Sequence, residues 1–244
     1  NNPILAMGLS AIVPGAGQFY QGNWQRGLIY LGIELLSFER KLYYDDKYDD
    51  YVREYENYAD NHWTLEKWLS DYYLFNTPDN KYRPAMLHSD DSYIDPWAFG
   101  SHGPKYYYNG QYFNTSDSSD DFLDKYEDFL ESCDENLMDN GGSCPLIAGT
   151  TSPGFGWEVD ANGNIDFAEN EGLLKDHHLY EGISKYNVYF AGWDDTNHND
   201  GGIIIKNGNQ VAMTPNKNYY QSMRNKANDE HDKAENFLTL IFMN

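Results

Sequence analysis

At 244 residues the chain is long enough for one large domain or two small ones, each with a substantial core. Its formal net charge of −22, from 39 Asp and Glu against 17 Lys and Arg, argues against a nucleic-acid partner, because phosphate recognition needs a basic footprint. The 22 Tyr and 6 Trp argue equally against disorder, since they supply large apolar surfaces that disordered chains lack.

In chain order, residues 3 to about 13 read as a short helix, with Asn2 at the cap and Pro3 in the first turn. Pro14-Gly15 ends it. After the glycine-rich turn "PGAGQFYQGNWQRG", a second helix is predicted from near Asn23, and no Gly or Pro interrupts the sequence from Ile33 until beyond Trp63. Its first half is apolar almost all round. Its second half carries Tyr48, Tyr51, Tyr55 and Tyr58 at spacings of three and four among charged residues, as expected of a helix passing from an apolar environment into water. An amphipathic helix follows over about 64 to 75, and Asn76 to Ser119 reads as ordered loop. "DDFLDKYEDFLESC" repeats the helical pattern. Asn-Gly between apolar alternations predicts hairpins in "GWEVDANGNIDF" and "GIIIKNGNQVAM". Thr214 caps and Pro215 begins a final helix of about 28 residues, its apolar face running through Tyr219, Met223, Ala227, Ala234, Leu238 and Ile241. The expected fold is therefore α+β and mainly helical: a short N-terminal membrane-type helical hairpin, long helices, and small β-hairpins in an acidic head. The domains are 1–44, the apolar hairpin; 45–236, the Tyr/Trp-rich head; and 237–244, the start of a further apolar segment. Both ends read as cuts through a longer protein.

Two apolar runs, "ILAMGLSAIV" and "LIYLGIELLSF", flank the opening turn. Each has only about 11 residues, whereas a spanning helix needs roughly 20. Small residues Ala6, Gly8, Ser10 and Ala11 allow close helix packing, and a third apolar run, "FLTLIFM", closes the chain, with strongly polar sequence between. This segregation of aliphatic residues points to membrane association. Glycines 15 and 17 permit a positive φ and a close helix crossing, Gln18 is placed to bond backbone groups freed at the break, and Tyr20 and Trp24 suit an interface. The turn resembles the Pro-Gly-x-Gly-Gln-x-Tyr turn of a bacterial family of small, uncharacterised envelope membrane proteins, and less closely that of two-transmembrane-helix domain proteins. The matching positions are Pro14, Gly15, Gly17, Gln18, Tyr20 and Gly27, and the resemblance covers roughly residues 3 to 60. It implies two short membrane helices joined by the turn and no catalytic activity. The second helix departs from the pattern in being shorter and more charged.

Elsewhere, Cys133 and Cys144 enclose a flexible Asp-Asn-Gly-Gly stretch and are predicted to form a disulfide in an oxidising compartment. Asp194, Asp195, Asn197, Asn199 and Asp200 crowd hard oxygens into one turn and form a candidate calcium site. His198 in the same turn reads as a surface residue. Asp160, Asn162, Asn164, Asp166 and Glu171 match calcium-loop positions, but Ile165 replaces the sharp-turn glycine, so a β-hairpin is the better reading. Asp176-His177-His178 matches three residues of a phosphoesterase metal motif but follows "GLLK" in a predicted helix, without the α/β setting of strand-end aspartates that such enzymes need. "KYYYNGQYF" has a composition suited to stacking on sugars or to a protein interface. No nucleophile elbow, P-loop or dinucleotide fingerprint is present. The functional expectation is a non-enzymatic structural or assembly protein anchored at the bacterial cell envelope, with an acidic periplasmic or extracellular head. Its partners would be membrane lipid or protein subunits, in a homo-oligomer or larger assembly. The alternative is a soluble secreted calcium-dependent glycan-binding domain or hydrolase.

Overall fold

The side chain of Asn2 accepts a hydrogen bond from the Ile4 amide, and Pro3 fills the first turn, so α1 (Pro3–Ile12) begins where a cap and a proline predict it. The computed structural model describes residues 2–71, 79–86, 105–108, 111–114, 128, 131–132, 146, 148–152, 156–168, 171–197 and 199–243. Over these the chain is mainly helical with small antiparallel β-hairpins, an α+β architecture. It divides into two compact units, Asn1–Tyr55 with Ser222–Asn244, and Glu56–Gln221.

The first unit holds α1, α2 (Ala16–Tyr20), most of α3 (Trp24–His62) and the C-terminal part of α7 (Pro215–Met243). α3 continues unbroken past the change from apolar to acidic sequence, as the lack of Gly and Pro between Ile33 and Trp63 predicts. Its lower half pairs with α7 through rings and cations: Tyr44 stacks on Phe237 with centroids 5.7 Å apart, Tyr48 meets His231 at 5.1 Å, and the Arg224 guanidinium lies 5.8 Å from the Tyr55 centroid. Along α7 the buried stripe runs through Tyr220, Met223, Ala227 and Ala234. Tyr219, expected on that stripe, is exposed instead, because a helix places neighbouring residues about 100° apart and Tyr220 takes the inward position.

The second unit contains α4 (Leu65–Asp71), α5 (Arg83–Met86), β1 (Lys105–Tyr108), β2 (Gln111–Asn114), β3 (Glu158–Val159), β4 (Ile165–Asp166), β5 (Gly172–Leu173), α6 (His177–Lys185), a 3-10 helix over Asn187–Gly192, β6 (Gly202–Lys206) and β7 (Asn209–Met213). The strands form a three-stranded sheet in the order β2-β1-β5 and two separate hairpins, β3-β4 and β6-β7. In β6-β7, Lys206 pairs with Asn209 around Asn207-Gly208, both with positive φ (52° and 81°), the backbone that a type I′ turn demands. The ordered-loop expectation for Asn76 to Ser119 is corrected by α5 and by the β1-β2 hairpin, in which Tyr108 pairs with Gln111. Asn109-Gly110 between two Tyr-rich runs is the same hairpin signal used elsewhere in the chain.

This unit's core is aromatic, and four of its large buried rings donate to main-chain carbonyls. The Trp63 indole N–H donates to Tyr189 O at 2.7 Å, that of Trp68 to Val188 O at 2.6 Å, and that of Trp193 to Ile183 O at 3.2 Å. The Tyr220 hydroxyl donates to Tyr180 O at 2.7 Å. The receiving carbonyls cluster on α6 and the 3-10 helix, so these four rings gain burial with their donors satisfied. Asn187 ties three elements together, donating to Ala85 O and Gln210 O and accepting from the Ala212 amide. Cys133 and Cys144, and most of the helix expected between residues 120 and 133, lie outside the described residues, as does Tyr72 on the expected face of α4.

Candidate functional site

The turn joining α1 to α3 is specified at backbone level. Gly15 has φ 81°, a left-handed conformation that side-chain-bearing residues rarely adopt, and a Cβ there would lie 2.4 Å from Gly27 O. Gly17 is required for a different reason: a Cβ would sit 2.2 Å from Ala6 O and 2.5 Å from Ser10 Oγ. α2 therefore lies directly on the small-residue side of α1. The Gly17 amide donates to Ser10 Oγ at 3.0 Å, and Ser10 Oγ in turn donates to Gln18 Oε1 at 3.1 Å. Gln18 thus acts through a side chain of α1 rather than on the freed backbone groups expected from the sequence; those are met by local bonds such as the Asn23 amide to Gln18 O at 2.8 Å. Gly27 accommodates the Phe19 ring, whose nearest carbons would lie 2.8 Å from an added Cβ. Pro14 is half-buried, while Tyr20 and Trp24 are exposed.

With the turn packed on its small residues, the large aliphatic ones face outward. Ile4 is 78% exposed, Met7 74% and Ile12 81%; on α3, Leu28, Ile29, Leu35, Leu36, Phe38 and Leu42 are also exposed. Isolated exposed apolar residues are ordinary, but on both arms of this hairpin they recur in a run. Among the described residues, no helix is long and apolar enough to cross a membrane.

The acidic turn has a different character. Asp194 Oδ2 lies 2.8 Å from His62 Nδ1, and Asp194 Oδ1 accepts from Asn216 Nδ2 at 2.7 Å. Asp195 Oδ2 accepts from the Asn216 amide in the first turn of α7 at 2.8 Å, adding a carboxylate where the helix dipole favours one. Tyr58 donates to Asn216 Oδ1 at 2.9 Å; its phenol is pushed up in pKa by desolvation, then by Asp195 and Asp194. Burial and, secondarily, Asp195 push the Tyr82 phenol up to about 12. Asp194 and Asp195 are thus tied to α3 and α7, while Asn197, Asn199 and Asp200 lie exposed and His198 lies outside the described residues. Among the described residues, no group of three or more His, Cys, Asp and Glu side chains is placed to hold a metal ion.

The other sequence motifs fall as hairpin and cap. Asp160 Oδ1 accepts from the amides of Asn162 (2.8 Å) and Asn164 (2.9 Å), closing the β3-β4 turn, and the Asn164 amide bond leads the causes that hold its carboxyl below the ordinary range. Asp176 caps α6 by accepting from the Leu179 amide at 2.9 Å, and the His177 and His178 rings meet at a tilt, with centroids 3.8 Å apart, at the exposed helix start. Sequence reasoning missed His62 and Asn216, which organise the acidic turn from 132 and 22 residues away; no local pattern marks such a pairing.

Fold and geometry define an α+β chain whose N-terminal helical hairpin turns its aliphatic side chains outward. Residues 1–94, which include that hairpin, match a family described as being of unknown function, DUF5683. No curated protein and no solved structure matches the chain.

Proposed function

We propose that the chain is a non-enzymatic structural or assembly protein of the bacterial cell envelope. Residues 1–44 hold it at the membrane, and residues 45–236 form an acidic head in the periplasm or outside the cell. The observation that carries this reading is the outward display of Ile4, Met7, Ile12, Ile29, Leu35, Leu36 and Phe38 on the two arms of a turn fixed by Gly15 and Gly17. Exposing so much aliphatic surface to water is costly at about 25 cal/mol per Å², and lipid or a partner subunit removes that cost. Trp24 and Tyr43, both exposed, suit the level of lipid headgroups. The head's net negative charge favours basic partners or cations, and its content of Tyr and Trp suits assembly with further copies or subunits.

A second reading, a soluble secreted calcium-dependent glycan-binding domain or hydrolase, draws on one observation. Asp195 Oδ1 and Thr196 Oγ1 in the acidic turn are buried without a hydrogen-bond partner among the described residues. Hard oxygens left in that state suit a calcium ion. Cell fractionation followed by carbonate and chelator washes separates the two. Retention on membranes through both washes is the expected result. Release by carbonate removes the anchored reading, and release by chelator alone favours calcium.

A further inference from the structure

Within the second unit, the end of α3, the start of α4, β4, β5 and α6 enclose a cavity of about 430 Å³, in the range of small-molecule sites. Its walls are largely apolar, with Trp63, Leu65, Ile165, Leu179 and Ile183 all buried beneath it. Three carboxylates and one ammonium also line it. Asp60 is already balanced: it takes Lys175 Nζ at 3.0 Å and the Tyr180 hydroxyl at 3.1 Å. Glu66 and Glu171 are not. Glu66 Oε1 accepts the Ile165 amide at 3.1 Å, and Glu171 Oε2 accepts the Trp157 indole N–H at 2.7 Å. Each of these bonds orients a carboxylate without neutralising it, and neither residue forms an ion pair among the described residues. Two uncompensated carboxylates beside apolar walls attract an organic cation and repel an anion, since charges interact more strongly there than in bulk water.

We propose that this cavity binds a small primary organic ammonium with a short apolar stem, the head group between Glu66 and Glu171 and the stem against Trp63 and the aliphatic wall. Phe167, which also lines the cavity, adds an aromatic ring of the kind that attracts such cations. Neutral alcohols of the same shape gain the apolar contact alone. This site is independent of the hairpin and of the membrane reading.

The test is a titration of the full-length chain with phenethylammonium and, in parallel, phenethyl alcohol, followed by ligand-observed NMR. Saturable binding of the ammonium, at least tenfold tighter than the alcohol and weakened by added salt, is expected. Glu66→Gln with Glu171→Gln keeps both hydrogen-bond acceptors and removes both charges; it is expected to erase the preference for the ammonium. Lys175→Met frees Asp60 and is expected to tighten ammonium binding about threefold, a sign that a merely structural role would not give. Equal binding of the two probes, binding of neither, or a preference that survives the double substitution overturns the proposal. The two-probe comparison is made on the unaltered chain, so it decides the matter whether or not the double variant folds.

Discussion

Ile29 and Trp68 are both large apolar side chains on helices, yet Ile29 is 61% exposed while Trp68 is fully buried with its indole N–H on Val188 O. The contrast runs through the two units. In the second, Trp63, Trp68, Trp193 and Tyr220 are buried with their donors satisfied by carbonyls of α6 and the 3-10 helix, as an aqueous core requires. In the first, the residues buried around the turn are Ala6, Gly15, Gly17 and Gly27, and the aliphatic residues that would build an aqueous core point away. Small residues inside and large ones outside is the arrangement of helices that pack closely and leave their apolar surface to the surroundings.

Substitutions break this comparison in a definite order. Trp68→Ala removes one of the two fully buried indoles among the second unit's described residues and is expected to cost about 3–5 kcal/mol of that unit's stability, read as a lowered denaturant midpoint with hairpin behaviour unchanged. Gly17→Val forces a branched side chain against the Ala6 carbonyl; about 1–3 kcal/mol of strain is expected, read as faster proteolysis near residues 13–23 with the second unit's unfolding unaffected. Thr214→Ala removes the oxygen that accepts from the Lys217 amide at 3.1 Å and is expected to cost about 1 kcal/mol.

Lys217 sharpens the account through pH. It is fully buried, its Nζ donates to Ala212 O at 2.9 Å, and burial, with a smaller contribution from Lys206, lowers its pKa from 10.5 to about 7. An unfolded chain restores the ordinary lysine value, so between about pH 7 and 10 the unfolded state binds more protons and stability rises with pH. Below pH 7 both states are protonated and the penalty for a buried ammonium is constant. Lys217→Met is expected to flatten the rise, measured as denaturant midpoints across that window. A rise undiminished in the variant contradicts the assignment.

Much of the framework was legible because its signals are local. Asn2 with Pro3, Thr214 with Pro215, and Asn207-Gly208 each act within four residues, and each forms the cap or turn expected. Gly15 and Gly17 were legible as a tight turn, since only glycine meets both a positive φ and a near-contact with backbone. Long-range pairings were not legible. Nothing near Asp194 indicates that His62 will meet it, and nothing near Tyr106 indicates that Leu173 will be its partner across β1 and β5. Such contacts depend on how elements pack, which local pattern does not encode. The cavity between Glu66 and Glu171 was hidden for the same reason: its two carboxylates lie 105 residues apart in the sequence and share only a wall.

The central claim is that the outward aliphatic face of the hairpin meets lipid, and flotation of the full-length chain with liposomes tests it most directly. Ile29→Asn with Leu36→Asn lies on exposed positions, so each substitution is expected to change folding stability by no more than about 0.5 kcal/mol. The native chain is expected to float with the vesicles, and the double variant to lose at least tenfold in partitioning while keeping its circular dichroism and unfolding midpoint. A native chain that stays with the soluble fraction, or a double variant that floats equally well, contradicts the claim.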